Sequence, residues 1–167
     1  IEFFPEEGKY HYDGHRVCGV NLSPEETLAH DGRCPVCGKK VTVGVLHRVE
    51  KLADRKKGFR PSGVPGFHSV IPLPEIIAEV LKVGVSSKSV EREYFGLLQK
   101  LGCEFKILLD IPLEEIEKGG SPLISEAISR MRRGDVRIVP GYDGEYGKIR
   151  IFESLERREI KGQSMLF

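Results

Sequence analysis

Two short spacings near the N-terminus constrain this chain more than anything else in it. His15 and Cys18 are separated by two residues, Cys34 and Cys37 by two more, and fifteen residues lie between the pairs. A Cys-x2-Cys turn presents two thiolates to one tetrahedral metal, and the interval between the pairs is that of two-knuckle structural zinc sites, with His in the first position. Gly19 and Gly38 follow the pairs and permit the tight backbone that aims amides at sulfur. A nitrogen/sulfur donor set favours zinc. The spacing therefore predicts a structural Zn2+ held by His15, Cys18, Cys34 and Cys37 in a module over residues 1–46. His11 and His30 are rival fourth ligands, but only His15 completes a two-residue gap to Cys18. Ordinary reduced thiols or a redox Cys-x2-Cys are the competing readings, and the doubled spacing argues against both. Four protein ligands close such a site, so it stabilises and does not catalyse.

The whole chain is long enough for one core or two small modules: 167 residues, 40% of them hydrophobic. Its 31% charged residues balance to a net charge of +1, so nucleic-acid binding has to come from local patches. No apolar run is long enough for a membrane helix and no signal peptide opens the chain, which predicts a cytoplasmic protein away from membranes. Ile1-Glu2-Phe3-Phe4-Pro5 reads as the edge of a domain already under way, as in a fragment of something longer.

The fold class expected is α+β: a small zinc-ribbon-like module, then a mainly helical region with a few strands and a C-terminal β-hairpin. Ser23-Pro24-Glu25-Glu26 is a capping box with Pro at the first helical position, opening a short helix that stops near Gly32. Val45, Val49, Leu52 and Ala53 fall at helical spacing opposite Arg48, Lys51 and Arg55, so residues 46–55 read as an amphipathic helix with one basic face. With the Pro/Gly-rich loop that follows, this makes a linking segment over 47–72. Region 73–155 should contain helices over 74–82, after Ser86-Ser87 with the stripe Val90, Tyr94, Leu97, Leu98, Leu101, after Pro112, and after Ser121-Pro122. Phe105 to Leu109 reads as a short strand with Cys103 buried beside it, and 136–139 with 148–152 as a hairpin. Residues 156–167 read as a flexible tail.

No side-chain set offers catalysis. There is no Gly-x-Ser-x-Gly, and Ile149 stands where a phosphate loop needs Ser or Thr. Asp143 and Glu145 in the Gly-rich tip read as solvated turn formers rather than acid/base groups. Arg48, Lys51, Arg55, Lys56, Lys57 and Arg60 oppose only Glu50 and Asp54, a candidate phosphate-binding patch whose bland alternative is a solvated helix face. The tail Gln163-Ser164-Met165-Leu166-Phe167 is similar to the peptides that dock on bacterial DNA sliding clamps, with anchors Gln163, Met165, Leu166 and Phe167.

Several long motifs carry a family resemblance: Gly8-Lys9-Tyr10-His11, the two ligand pairs, Gly44-Val45 through Asp54, Ile71-Pro72-Leu73-Pro74-Glu75-Ile76-Ile77, and Pro140 through Arg150. Together they resemble the C-terminal half of endonuclease Q and its relatives, PHP-domain proteins. Family members often carry Cys at the position of His15, a conservative departure for zinc. The resemblance implies that the chain is the zinc-binding, DNA-engaging part of an endonuclease that cuts beside deaminated bases. Its partners would be damaged double-stranded DNA, an N-terminal PHP nuclease domain and a sliding clamp. The His-x-His signature of a PHP domain is absent, so this chain alone is not expected to cut DNA. Lesion bases would be flipped from the stack, with Tyr10, Tyr12, Tyr142 and Tyr146 as possible base contacts. Two other functions remain: a non-enzymatic zinc-ribbon module for protein contact, or part of a PHP phosphoesterase acting on RNA or nucleotides.

Overall fold

The computed structural model describes residues 1–56 and 58–153. In chain order the elements are β1 (Glu2–Phe3), β2 (Asp13–His15), β3 (Val20–Leu22), α1 (Pro24–Ala29), α2 (Val45–Leu52), β4 (Ser69–Val70) and α3 (Leu73–Leu81). There follow α4 (Lys88–Leu101), α5 (Glu104–Leu109), α6 (Leu113–Gly119), α7 (Pro122–Arg133), β5 (Arg137–Val139) and β6 (Lys148–Arg150). The mixed α+β class expected from the sequence is what forms. Among the described residues no helix is long and apolar enough to cross a membrane.

The chain divides into two compact units. One is made of residues 4–67 together with 138–149; the other contains 1–3, 68–137 and the stretch from 150. In the first, β2 and β3 pair antiparallel with His15 opposite Val20 and Gly14 opposite Asn21. The capping box at α1 forms in both directions: Ser23 Oγ accepts from the Glu26 amide and the Glu26 carboxylate accepts from the Ser23 amide. Leu22, Cys34 and Val41 form a small buried core, with Cys18 and Val20 packed against it. A core of that size holds little apolar area, so polar contacts such as the α1 capping box count for more in this unit.

The second unit is helical. Ile76, Ile77 and Val80 from α3, Val90 and Leu97 from α4, Ile116 from α6 and Ile124, Ala127, Ile128 and Met131 from α7 are all buried together. Ser87 and Ser121 cap α4 and α7, and Gly134 ends α7 in the left-handed region at φ 70°. The two-residue strands β1 and β4 pair parallel at its edge.

One sequence expectation fails here. Phe105 to Leu109 is not a strand but lies in α5. Ile107 and Leu108 are adjacent and both buried, a pattern that a short apolar run shows equally in a buried strand or a buried helix. The helix is decided by distant partners. The Glu104 carboxylate accepts from the Leu73 amide at 2.8 Å and the Tyr94 hydroxyl at 3.0 Å. At the other end the Arg132 guanidinium donates to the carbonyls of Ile107, Leu108 and Ile111 at 2.9, 2.9 and 2.8 Å, satisfying groups that a helix terminus leaves open. Cys103, expected to be buried, is exposed at the N-terminal boundary of this helix.

Candidate metal centre

His15 ends β2 and leads directly into a single 3-10 turn, Arg16–Cys18, which brings the imidazole and the Cys18 thiol to one side. Gly19 then takes φ 64°, a left-handed conformation that closes the turn, with its amide bonded to the Arg16 carbonyl at 2.9 Å. The second knuckle repeats the device. Gly38 has φ 72° and its amide reaches the Cys34 carbonyl at 2.8 Å, while the Cys34 amide bonds to the Lys39 carbonyl at 2.7 Å. Nothing crowds a Cβ at Gly19 or Gly38, so their backbone angle alone is the reason for glycine there.

These turns bring the ligand atoms of His15, Cys18, Cys34 and Cys37 within 4.8 Å of one another. Cys37 Sγ lies 3.4 Å from His15 Nδ1. Cys34 is buried, Cys18 and His15 half-buried and Cys37 exposed. The four could therefore bind a metal. The rival histidines are elsewhere: His11 stacks on Tyr12 with ring centroids 5.5 Å apart, and His30 caps the C-terminus of α1.

The electrostatics fit a cation. Burial works to raise the Cys34 thiol, yet amide hydrogen bonds from Cys37 and Val36 prevail and bring it to about 7. Cys18 moves the other way, pushed up to about 11 first by its hydrogen bond to Cys37 and then by burial. Three thiols this close cannot all ionise unaided, because each thiolate opposes the next. A divalent ion at the centre removes that conflict, and a nitrogen/sulfur donor set suits a borderline-soft metal.

A second structure flanks the centre. Residues 141–147 lie against residues 6–12: Gly141 and Gly147 amides donate to the Glu6 and Glu7 carbonyls, the Tyr12 amide to the Gly141 carbonyl and the Gly144 amide to the Lys9 carbonyl, all at 2.8–3.0 Å. A Cβ on Gly147 would sit 2.0 Å from the Glu6 carbonyl oxygen, so the approach requires glycine. Asp143, expected as a solvated turn former, instead accepts from the amide of Arg16 at 2.6 Å and the hydroxyl of Thr42 at 2.5 Å. It thereby fixes the residue next to ligand His15. The Thr42 hydrogen bond, against the opposing effect of burial and helped by the Arg16 amide, holds its carboxyl below the usual range. Glu145 is exposed, 3.9 Å from Arg16.

Sequence reasoning also missed Asp13. It is fully buried and accepts from the Gly44 amide and His47 Nδ1, both at 2.6 Å, tying β2 to the start of α2. An alternation of polar and apolar residues gives no hint of a buried carboxylate; the Gly44/His47 contacts lie more than thirty residues away.

The basic residues Arg48, Lys51, Arg55, Lys56 and Arg60 are exposed along α2 and the loop beyond it, and Lys57 lies outside the described residues. The apolar stripe of α2 is exposed as well: Val45, Val49 and Leu52 remain more than half accessible. Of the tyrosines, Tyr146 is 71% exposed, whereas the Tyr142 ring lies against Gly14, where a Cβ would come within 2.4 Å of it. Gln163, Met165, Leu166 and Phe167 lie outside the described residues.

Parts of longer known proteins are similar to this chain. The family model of the MJ0043 C-terminal domain matches residues 72–135. The uncharacterized protein MJ0043 of Methanocaldococcus jannaschii is 34% identical over 145 residues, 87% of this chain and 18% of its own length. The uncharacterized protein YqxK of Bacillus subtilis is 27% identical over 147 residues, 87% of this chain and 34% of its own. The crystal structure of the lesion-specific endonuclease PfuEndoQ from Pyrococcus furiosus superposes with a TM-score of 0.79 at 32% identity, covering 99% of this chain and 40% of that one. Endonuclease Q in complex with a 27-mer duplex substrate bearing an abasic lesion at the active site gives 0.73 at 34% identity, covering 95% and 38%. This chain thus spans less than half the length of each relative. The likeness to the C-terminal half of endonuclease Q read from the sequence motifs is borne out, and residues 72–135 within it match the family model of the MJ0043 C-terminal domain.

Proposed function

We propose that this chain is the DNA-engaging part of a lesion-directed DNA endonuclease, working with a PHP nuclease domain that supplies the hydrolytic chemistry. The observation that carries the reading is the 34% identity, over 95% of the chain, to an endonuclease Q solved on a lesion-bearing duplex. His15, Cys18, Cys34 and Cys37 hold a structural Zn2+, whose charge lets three thiolates share one site and fixes both knuckles. Arg48 and Lys51 on α2, with Arg55, Lys56, Lys57 and Arg60 after it, contact phosphates. Tyr146, exposed with the Lys9 ammonium 5.7 Å from its ring centroid, offers a base contact, and the half-buried Tyr142 offers less. Gln163, Met165, Leu166 and Phe167 dock on a sliding clamp, a reading that rests on the motif alone.

A second reading has an observation of its own. Val45, Val49 and Leu52 leave an apolar face of α2 open, which suits a non-enzymatic module that contacts protein. Elemental analysis together with binding to uracil-containing, abasic and intact duplexes at two salt concentrations separates the two. One equivalent of zinc, with DNA affinity that falls steeply with salt, is expected, since each neutralised phosphate contributes a slope of about 0.9. Zinc with no DNA binding would overturn the nuclease reading in favour of the protein-contact module.

A further inference from the structure

Phe59 sits where an apolar ring has no packing reason to be. It is 58% exposed in a stretch where every described residue from 51 to 68 is exposed, so no core claims it. Its place is nonetheless defined. The Phe59 amide bonds to the Lys56 carbonyl at 3.0 Å, closing a turn through Gly58 at φ 84°, and the Arg55 guanidinium lies over the ring at 5.1 Å from its centroid. Arg60, next in the chain, folds its guanidinium against Gly66, where a Cβ would meet it at 2.4 Å. Arg55 thus lies over the ring, Lys56 and Arg60 are exposed cations three residues before it and one after it in the chain, and among the described residues Asp54 pairs with Arg55 at 3.4 Å.

We infer that Phe59 stacks on an unstacked nucleobase while Arg55, Lys56 and Arg60 hold the phosphates beside it; this rests on the DNA-binding reading above. The surroundings choose the occupant. An apolar protein surface docking on Phe59 would strip water from the cations beside it, of which only Arg55 has an anionic partner in Asp54, and that is costly. A nucleic-acid strand supplies a flat aromatic face and anionic oxygens at neighbouring positions, the pairing that aromatic and cationic side chains use on single strands. A base inside a continuous duplex has both faces covered, so the ligand is a nucleotide in a single strand or at a break in stacking.

The test uses the full chain with its metal, an oligonucleotide carrying 2-aminopurine at an unpaired position, and the same sequence as a continuous duplex. Phe59→Ala should weaken binding of the unpaired probe about ten- to a hundredfold and abolish its fluorescence quenching, with metal content and continuous-duplex affinity unchanged. Phe59→Trp should keep both binding and quenching. Lys51→Ala should weaken both DNAs alike and lower the salt slope by about 0.9, which tests the phosphate patch separately. If the parent chain binds the unpaired probe and Phe59→Ala binds it equally well, or Phe59→Trp loses it too, the stacking role is overturned while DNA binding stands. If the parent chain binds neither DNA, both readings fall.

Discussion

Replacing Asp143 by Ala should destabilise the unit that contains His15, Cys18, Cys34 and Cys37 by about 3 kcal/mol. The carboxylate accepts two hydrogen bonds, from the Arg16 amide at 2.6 Å and the Thr42 hydroxyl at 2.5 Å. Bonds to a charged acceptor contribute about 1.5–3 kcal/mol each. Asp143 is only half-buried, so the low end applies to both. Asn keeps one accepting oxygen, and Asp143→Asn should cost roughly half as much. Thr42→Val removes one donor, and the double-mutant cycle with Asp143→Ala should give a coupling of about 1 kcal/mol. Because Arg16 follows ligand His15, loosening it should also lower metal affinity about ten- to a hundredfold, the scale seen when groups that orient metal ligands are lost. The folded carboxyl titrates below its ordinary value, so its contribution is complete above the unfolded value of about 3.9 and lost as pH falls through the lower folded value. Urea unfolding at saturating metal reads the stability, and competition with a chromogenic chelator reads the affinity. A loss under about 0.5 kcal/mol with unchanged metal affinity would mean that Asp143 is a solvated turn residue after all and that the hairpin tip does not brace the centre.

Chelating the metal at neutral pH should unfold residues 4–67 and 138–149, whose buried cluster of Leu22, Cys34 and Val41 is small, while helical circular dichroism from 68–137 persists; an unchanged spectrum after verified metal loss would contradict this. Arg132→Met should cost about 3 kcal/mol in the helical unit by stranding three carbonyls at the end of α5, with Arg132→Lys recovering part of it, as read from denaturant midpoints. Ser23→Ala should cost about 1 kcal/mol by opening the cap of α1. The Ser23 amide, and after it the Ser23 hydroxyl, hold Glu26 below its usual range, so this cap is complete above the unfolded carboxyl value of about 4.3 and weakens as pH falls below it; Glu26→Gln should flatten that dependence in a pH series of thermal melts.

What could be read from the sequence was local. Each knuckle is a four-residue turn followed by glycine, so the spacing of His15, Cys18, Cys34 and Cys37 already contains its geometry, and the four side chains do meet. The capping box at Ser23 and the inward stripe of α7 are likewise settled within a turn or two of helix. Two of the failures turn on contacts over long sequence separation. Phe105 to Leu109 is too short for its periodicity to distinguish helix from strand, and the deciding group, Arg132, lies on another helix. Asp143 looked like a turn former because its partners, Arg16 and Thr42, lie 127 and 101 residues away. Residues 138–149 group with 4–67, as the amides of Gly141, Gly147 and Gly144 donate to the carbonyls of Glu6, Glu7 and Lys9, again across more than 130 residues of sequence. The same distinction bears on function. The metal centre is legible because its ligands come from two short turns, whereas a surface that holds DNA is assembled from residues whose exposure only the folded chain reveals. Phe59 illustrates the point: in the sequence it is one more aromatic in a Gly/Pro-rich loop, and it gains meaning only once the fold leaves it exposed with Arg55 over its ring.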